Sequence, residues 1–147
     1  HDRYANIEIA YLLQKMEEHV GTVILASNFR KNIDDAFLRR LHFTIEFPLP
    51  DDKSRKMIWL ATFPAETPLG DDVDFAFLSK FKFTGGNIKN IALAAAFLAA
   101  GSSGIVGMEH LIKATKRELQ KIGKLYTEAD FGEYSRWIKQ CGEKDNV

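Results

Sequence analysis

Four apolar residues in a row, Val23-Ile24-Leu25-Ala26, run straight into two polar ones, Ser27 and Asn28. So short a run, half of it β-branched and set off by Gly21, reads as a strand buried on both faces of a parallel sheet. An abrupt polar end to such a strand marks the carboxyl edge of the sheet, where open α/β folds bind ligands. Asn32-Ile33-Asp34-Asp35 then reads as a turn and a helix start, and the short helix ends in the pair Arg39-Arg40. A buried strand with an amide at its tip and two cations close behind it points to an anionic ligand.

The rest of the chain divides around this stretch into an α/β part followed by an all-α part. Before it, Ala5, Ile9, Leu12, Leu13, Met16 and Val20 recur at helical spacing, so a helix is expected from Arg3 to His19, ended by Gly21. After it, His42 to Phe47 alternates like a strand nearer a sheet edge, and Pro48-Leu49-Pro50 cannot continue a ladder. Beyond Asp51 every pattern is helical. Asp51 or Asp52 can cap a helix carrying Met57, Ile58, Leu60 and Ala61, with Trp59 on or beside its buried face. Phe75, Phe77 and Leu78 mark a short helix. Thr84-Gly85-Gly86-Asn87 opens another, apolar nearly all round, that runs to about Ala100 and is expected to be the core of its lobe. A further helix runs from Met108 to Ile122. The tail starts at Thr127-Glu128-Ala129-Asp130, a capping-box-like entry to a helix with Phe131, Tyr134, Trp137 and Ile138. The expected domains are 1–50, 51–124 and 125–147.

Composition narrows the function classes. The chain of 147 residues balances 20 Lys and Arg against 20 Asp and Glu, so nothing draws it to nucleic acid or membranes by charge alone. Its single cysteine, Cys141, excludes an internal disulfide and makes a reducing, cytoplasmic setting the expectation. The longest apolar stretch, Ile91 to Ala100, is too short to span a bilayer. The four histidines have no partner at metal-ligand spacing, so no metal site is expected from these residues. The opening His1-Asp2-Arg3 reads as a cut within a longer chain.

The stretch ILASNFRKNIDDAFLRRLHFTIEFPLPD resembles the second half of an AAA+ ATPase module, in the branch that holds the FtsH-type unfoldases. There the order is an apolar strand, Ala-Thr-Asn, an Asp-Pro-Ala-Leu-Leu-Arg helix, an edge strand and Pro-x-Pro-Asp. The resemblance extends roughly from Asp2 to Glu118. It implies the C-terminal part of a P-loop NTPase sheet domain followed by a helical lid, to which 125–147 is an appended helix. It places Asn28 on the sensor 1 position, where the side chain orients the attacking water or touches the γ-phosphate, and Arg39 on the arginine finger, which acts on the nucleotide of the next subunit. The second arginine that the family often carries three positions later is His42 here, and Arg40 is its candidate replacement. The family's Ser/Thr-Gly-Ala-Asp, whose backbone approaches the adenine as the lid closes, corresponds to Thr84, Gly85, Gly86 and Asn87. The family often sets Arg and Asn on the helix before the strand, where this chain has Ile7 and Ala10.

The cofactors implied are ATP and Mg2+. No Gly-x-x-x-x-Gly-Lys-Ser/Thr and no apolar strand ending in Asp-Glu occurs in the chain, so the Walker A cradle and the magnesium ligands are expected upstream of His1. The implied parent is a ring homo-oligomer, a hexamer, that couples ATP hydrolysis to remodelling of a protein substrate, and this fragment alone is expected to be inactive. Two other readings compete with it: a catalytically inactive helical interaction module, and a nucleic-acid-directed AAA+ protein. The absence of an arginine just inside the Thr84 helix and the zero net charge argue against the latter. Lys113, Lys116, Arg117, Lys121 and Lys124 read as a solvated basic face.

Overall fold

The computed structural model describes residues 2–27 and 38–139. It comprises two compact units, His1–Phe47 and Pro48–Val147.

In the first unit, α1 spans Asp2–Glu18. Its last turns are tied by exposed pairs, Gln14 Nε2 donating to Glu18 Oε1 at 2.7 Å and Lys15 Nζ to Glu18 Oε2 at 2.7 Å. Gly21 follows with φ of 142°, a backbone setting that favours glycine, and the chain turns there. The α/β expectation is not met by what comes next. Neither Val23–Ala26 nor His42–Phe47 joins a ladder, and no strand forms among the described residues. Ile24 is 86% exposed and Phe47 90%. The reason is physical: a doubly buried strand needs a neighbour on each edge and layers on both faces, and no described residue supplies them.

The second unit is helical: α2 (Asp52–Thr62), α3 (Phe75–Leu78), α4 (Gly85–Ala100) and α5 (Met108–Lys121), then a 3-10 segment (Glu128–Ser135) and α6 (Arg136–Lys139). Asp51 caps α2 by accepting from the Ser54 N–H at 2.8 Å. The buried face of α2 keeps Trp59 and Ile58 of the face read from the sequence but not Met57 or Leu60, and adds Arg55. Arg55 and Trp59, one turn apart, point inward, while Met57 is 70% exposed and Leu60 is also outside.

Arg55 is only 4% exposed. Its guanidinium forks three ways. Nη1 donates to the Pro50 carbonyl at 2.5 Å and Nε to the Ser79 carbonyl at 2.6 Å, and Nη2 pairs with the Asp52 carboxylate. The segment leading into α2, α2 itself and the end of α3 are thereby fastened together.

Helix α4 buries Ile88, Ile91, Ala92, Ala95 and Ala99, a single stripe, with Leu93 and Phe97 outside it. Its apolar composition therefore overstates its burial. Its main partner is α5, which contributes Met108, Leu111, Ile112 and Leu119 to the same core. The amino end of α5 is capped from a distance, the Asp72 carboxylate accepting from the Met108 N–H at 3.1 Å and His110 Nδ1 from the Gly107 N–H at 3.1 Å. The Asp72 loop is held by a single parallel bridge between Leu69 and Val106. A Cβ at Gly70 would sit 2.6 Å from Asp72 Oδ1, so a side chain there would displace the carboxylate that caps α5.

The tail closes the unit through aromatic contacts. Phe131 is fully buried, its ring 5.2 Å from Phe81 and 5.6 Å from Tyr126, and Tyr134 meets Phe77 edge-on at 4.6 Å. The 3-10 segment and α6 thus share the core of α3 and α5. Among the described residues no helix is long and apolar enough to cross a membrane.

Removing the Arg55 fork strands the Pro50 and Ser79 carbonyls. Arg55→Ala is expected to lower the unfolding free energy of the helical unit by about 3 kcal/mol, and Arg55→Lys to restore less than half of it, since one ammonium cannot reach three divergent acceptors. Urea denaturation of the three proteins measures both values.

Candidate functional site

The site residues expected from the sequence fall in different parts of the structure. Asn28 lies outside the described residues. Arg39 and Arg40 sit in a turn of the first unit just after Leu38, both exposed. Their surroundings differ. Arg40 Nε donates to Glu17 Oε1 of α1 at 2.5 Å, an ion pair across 23 residues of sequence. Arg39 has no ion-pair partner among the described residues. His42, in the place of the second family arginine, is exposed close by.

Thr84, Gly85, Gly86 and Asn87 form the first turn of α4 in the second unit. Thr84 is the N-cap: its Oγ1 accepts from the Asn87 N–H at 3.2 Å, and Asn87 Oδ1 accepts from the Thr84 N–H at 3.1 Å. This reciprocal box fixes the turn with an Asn at the third position, where Glu or Gln is usual. The N–H groups of Gly85 and Gly86 belong to the first turn and have no acceptor within the helix. Neither glycine is required by the fold. Both lie outside the left-handed region, and a Cβ would meet nothing nearer than Ile58 Cδ1 at 4.0 Å for Gly85 or Thr84 Oγ1 at 3.7 Å for Gly86. The pair leaves an open, donor-lined helix start.

A carboxylate that the sequence did not single out stands behind this turn. Glu118 of α5 is 6% exposed, and its Oε1 accepts from Asn87 Nδ2 at 2.8 Å and from Asn90 Nδ2 at 3.3 Å. Lys121 Nζ lies 3.4 Å from its other oxygen. Burial pushes this carboxyl up, but the two amide donors and the Lys121 ammonium outweigh it and hold the group below the usual carboxylate range. Glu118 is therefore ionised at neutral pH and anchors Asn87 from the far side. Only the four-residue rhythm of α5, which puts position 118 among buried apolar residues, could have flagged it.

The basic face read on α5 disperses in the structure. Lys113 pairs with Glu109 at 2.5 Å, Lys116 donates to the Ile138 carbonyl at 2.9 Å, and Lys124 donates to the Lys82 carbonyl at 2.8 Å. Most of these cations hold the fold together and do not form a continuous field.

Comparison with known proteins gives this geometry a context. No family model matches the chain. Over 137 residues it is 31% identical to a katanin p60 ATPase-containing subunit from Danio rerio, an alignment covering 82% of this chain and 28% of that protein. It is 38% identical over 103 residues to an ATP-dependent zinc metalloprotease FtsH of Lachnoclostridium phytofermentans, covering 66% of this chain and 18% of the relative. Over 81 residues it is 41% identical to a 26S proteasome regulatory subunit 4 homolog of Oryza sativa subsp. japonica, covering 52% and 18%. These homologues are AAA+ ATPases, of the P-loop NTPase class, and the similarity supports a C-terminal region of such a module. The chain spans about a quarter or less of the length of most of these curated relatives.

The Asn87–Glu118 contact yields a pH test. Asn87→Asp sets a second carboxylate in hydrogen-bond range of Glu118, so one of the two must take up a proton at a raised pKa. The variant is expected to lose about 1–3 kcal/mol at pH 7. A folded-state carboxyl pKa above its unfolded value stabilises as pH falls, whereas the wild-type Glu118, held low, loses its contribution as pH falls through its folded pKa. The stability gap should therefore narrow from pH 7 to pH 4, as read from urea midpoints across that range.

Proposed function

We propose that this chain is the C-terminal portion of an ATP-hydrolysing AAA+ module: the last strands of a parallel sheet, then a helical lid, in a protein that works as a ring. The observation that carries the reading is the similarity of four-fifths of the chain to a katanin p60 ATPase-containing subunit. The exposed apolar side chains of Ile24, Phe43 and Phe47 fit it, as strand surfaces that other parts of the module would cover.

In this reading Asn28 is sensor 1, orienting the attacking water, and Arg39 is the finger. Arg39 suits the role better than Arg40, because a side chain that must reach a neighbour's nucleotide cannot also be committed to Glu17. Arg40 instead fastens the finger turn to α1. Bound ATP with Mg2+ would supply the phosphoryl group whose transfer drives the protein. On this chain, Thr84 and Asn87 fix the first turn of α4, and the Gly85 and Gly86 backbone offers the close approach an adenine ring needs. Walker A and the magnesium ligands belong to sequence outside this chain, so the chain alone is inactive. The product of the cycle is mechanical, remodelling of a protein client, as in the unfoldase branch it resembles. Against a nucleic-acid-directed member stands the engagement of Lys113 and Lys116 of α5 in the fold.

Four substitutions in the full-length protein test these roles. Arg39→Ala is expected to leave ATP binding intact and cut steady-state hydrolysis about a thousandfold or more; undiminished turnover would remove the finger assignment. Asn28→Ala should slow hydrolysis far more than it weakens binding, and a collapse of binding would make Asn28 structural. Gly85→Ala and Gly86→Ala should both leave the melting temperature unchanged or higher, but only Gly85→Ala should weaken nucleotide binding, since Gly86→Ala restores the family's residue; equal nucleotide affinity in wild type and both variants would dissociate α4 from the site.

A further inference from the structure

Immediately before Thr84 the sequence alternates Lys80-Phe81-Lys82-Phe83, and the structure folds this stretch against the turn that follows α5. The result is a surface groove of about 380 Å³ lined by Lys80, Lys82, Lys124, Phe81, Leu125 and Tyr126, with Asp130 at its end. None of the three lysines has a carboxylate in ion-pair range among the described residues; Lys80 Nζ lies 5.3 Å from the Phe77 ring centroid and Lys124 Nζ 6.0 Å from that of Phe83. Asp130, whose Oδ2 accepts from the Thr127 N–H at 2.6 Å and the Thr127 hydroxyl at 3.0 Å, keeps its charge, so the lining sets three lysines against one carboxylate. On a chain whose charges otherwise cancel, this is a local cationic excess.

Leu125 lies beside it, 101% exposed. It is not on a loose loop. Gly123 has φ of 67° and its N–H bonds to the Gln120 carbonyl at 3.1 Å, while the Lys124 N–H bonds to the Leu119 carbonyl at 3.0 Å, closing the helix end. Lys124 Nζ then clips the turn to the Lys82 carbonyl at 2.8 Å. An apolar side chain fully in water on a doubly fastened turn, beside three lysines and a single carboxylate, is complementary to an acidic segment that carries a bulky apolar residue. The aromatic residues do not suit nucleic acid. Phe81 packs against Phe83 at 5.8 Å and Phe131 at 5.2 Å, and Tyr126 against Phe131 at 5.6 Å, so their faces are engaged inside the fold and are not presented to bases.

We propose that this groove is a docking site for an acidic peptide segment of a partner protein, with an apolar side chain seated on Leu125 and carboxylates facing Lys80, Lys82 and Lys124. The site is independent of the nucleotide reading, since it needs neither ATP nor a neighbouring protomer. It abuts Thr84, so a docked peptide would touch the segment that leads into the first turn of α4.

Fluorescence anisotropy with the 147-residue chain tests it. The probe is a labelled peptide of Glu and Asp residues around one central Phe. Binding is expected, weakening with added salt, and falling at least about tenfold in Lys80→Glu/Lys82→Glu but not in Lys56→Glu, a surface change on α2 outside the groove. Replacing the Phe of the probe by Gly should also weaken binding. If the double variant melts early, Lys80→Gln/Lys82→Gln replaces it. Equal binding by wild type and double variant, equal binding of the Gly probe, or preferential binding of a single-stranded RNA of matched charge would each overturn the proposal.

Discussion

The helical unit depends on one buried cation. Arg55 enters from the first turn of α2 with its charge almost wholly out of water, a position that is strongly unfavourable unless every donor is used. It is used on three sides, by the Pro50 carbonyl before α2, the Asp52 carboxylate on it and the Ser79 carbonyl at the end of α3. A planar fork can satisfy acceptors in divergent directions where a point charge cannot. Fixing the end of α3 in turn fixes Phe77 and Phe81, whose rings seat Tyr134 and Phe131 of the tail. One guanidinium therefore sets the geometry of segments as far apart as Pro50 and Phe131.

This explains where sequence reading of the fold succeeds and where it fails. The capping residues Asp51 and Thr84 act locally, through partners three residues away, and are legible for that reason. The apolar stripe of α4 is legible too, but not its width. Leu93 and Phe97 lie outside because α5 and α2 pack against the other side of the helix. The inward face of α2 is hidden because Arg55 looks like a solvated charge beside Lys53 and Lys56. Its burial is decided by Ser79, 24 residues on. The strand pattern of Val23–Ala26 can be recognised, yet a ladder is a property of several segments together, and among the described residues it pairs with none, His42–Phe47 included.

The candidate site shows the same division. Arg39 and Arg40 are indistinguishable by composition and adjacent in sequence, and only the Glu17 carboxylate on α1 separates a committed side chain from one with no ion-pair partner among the described residues. Asn87 stands out by its place in a motif, while its partner Glu118 is invisible among the charges of α5. The two act together: the capping box shapes the first turn of α4 from within, and Glu118 holds it from behind. A turn constrained from both sides keeps its backbone donors aimed in a fixed direction, which would lower the ordering cost of the proposed nucleotide contact.

The glycine pair in that turn carries the argument further. Glycine in a helix is disfavoured relative to alanine by about 0.5–1 kcal/mol, so a position that tolerates a Cβ and still holds glycine runs against local stability. At Gly85 and Gly86 the protein itself offers no steric reason for it, since the nearest atoms to a Cβ are at ordinary contact distance. Gly70 is the contrast, held small by the Asp72 carboxylate that caps α5. At Gly85 the fold gives no reason for the missing side chain, and the proposed close approach of an adenine ring to this backbone would give one, whereas Gly86 stands where the family carries Ala and needs no such reason.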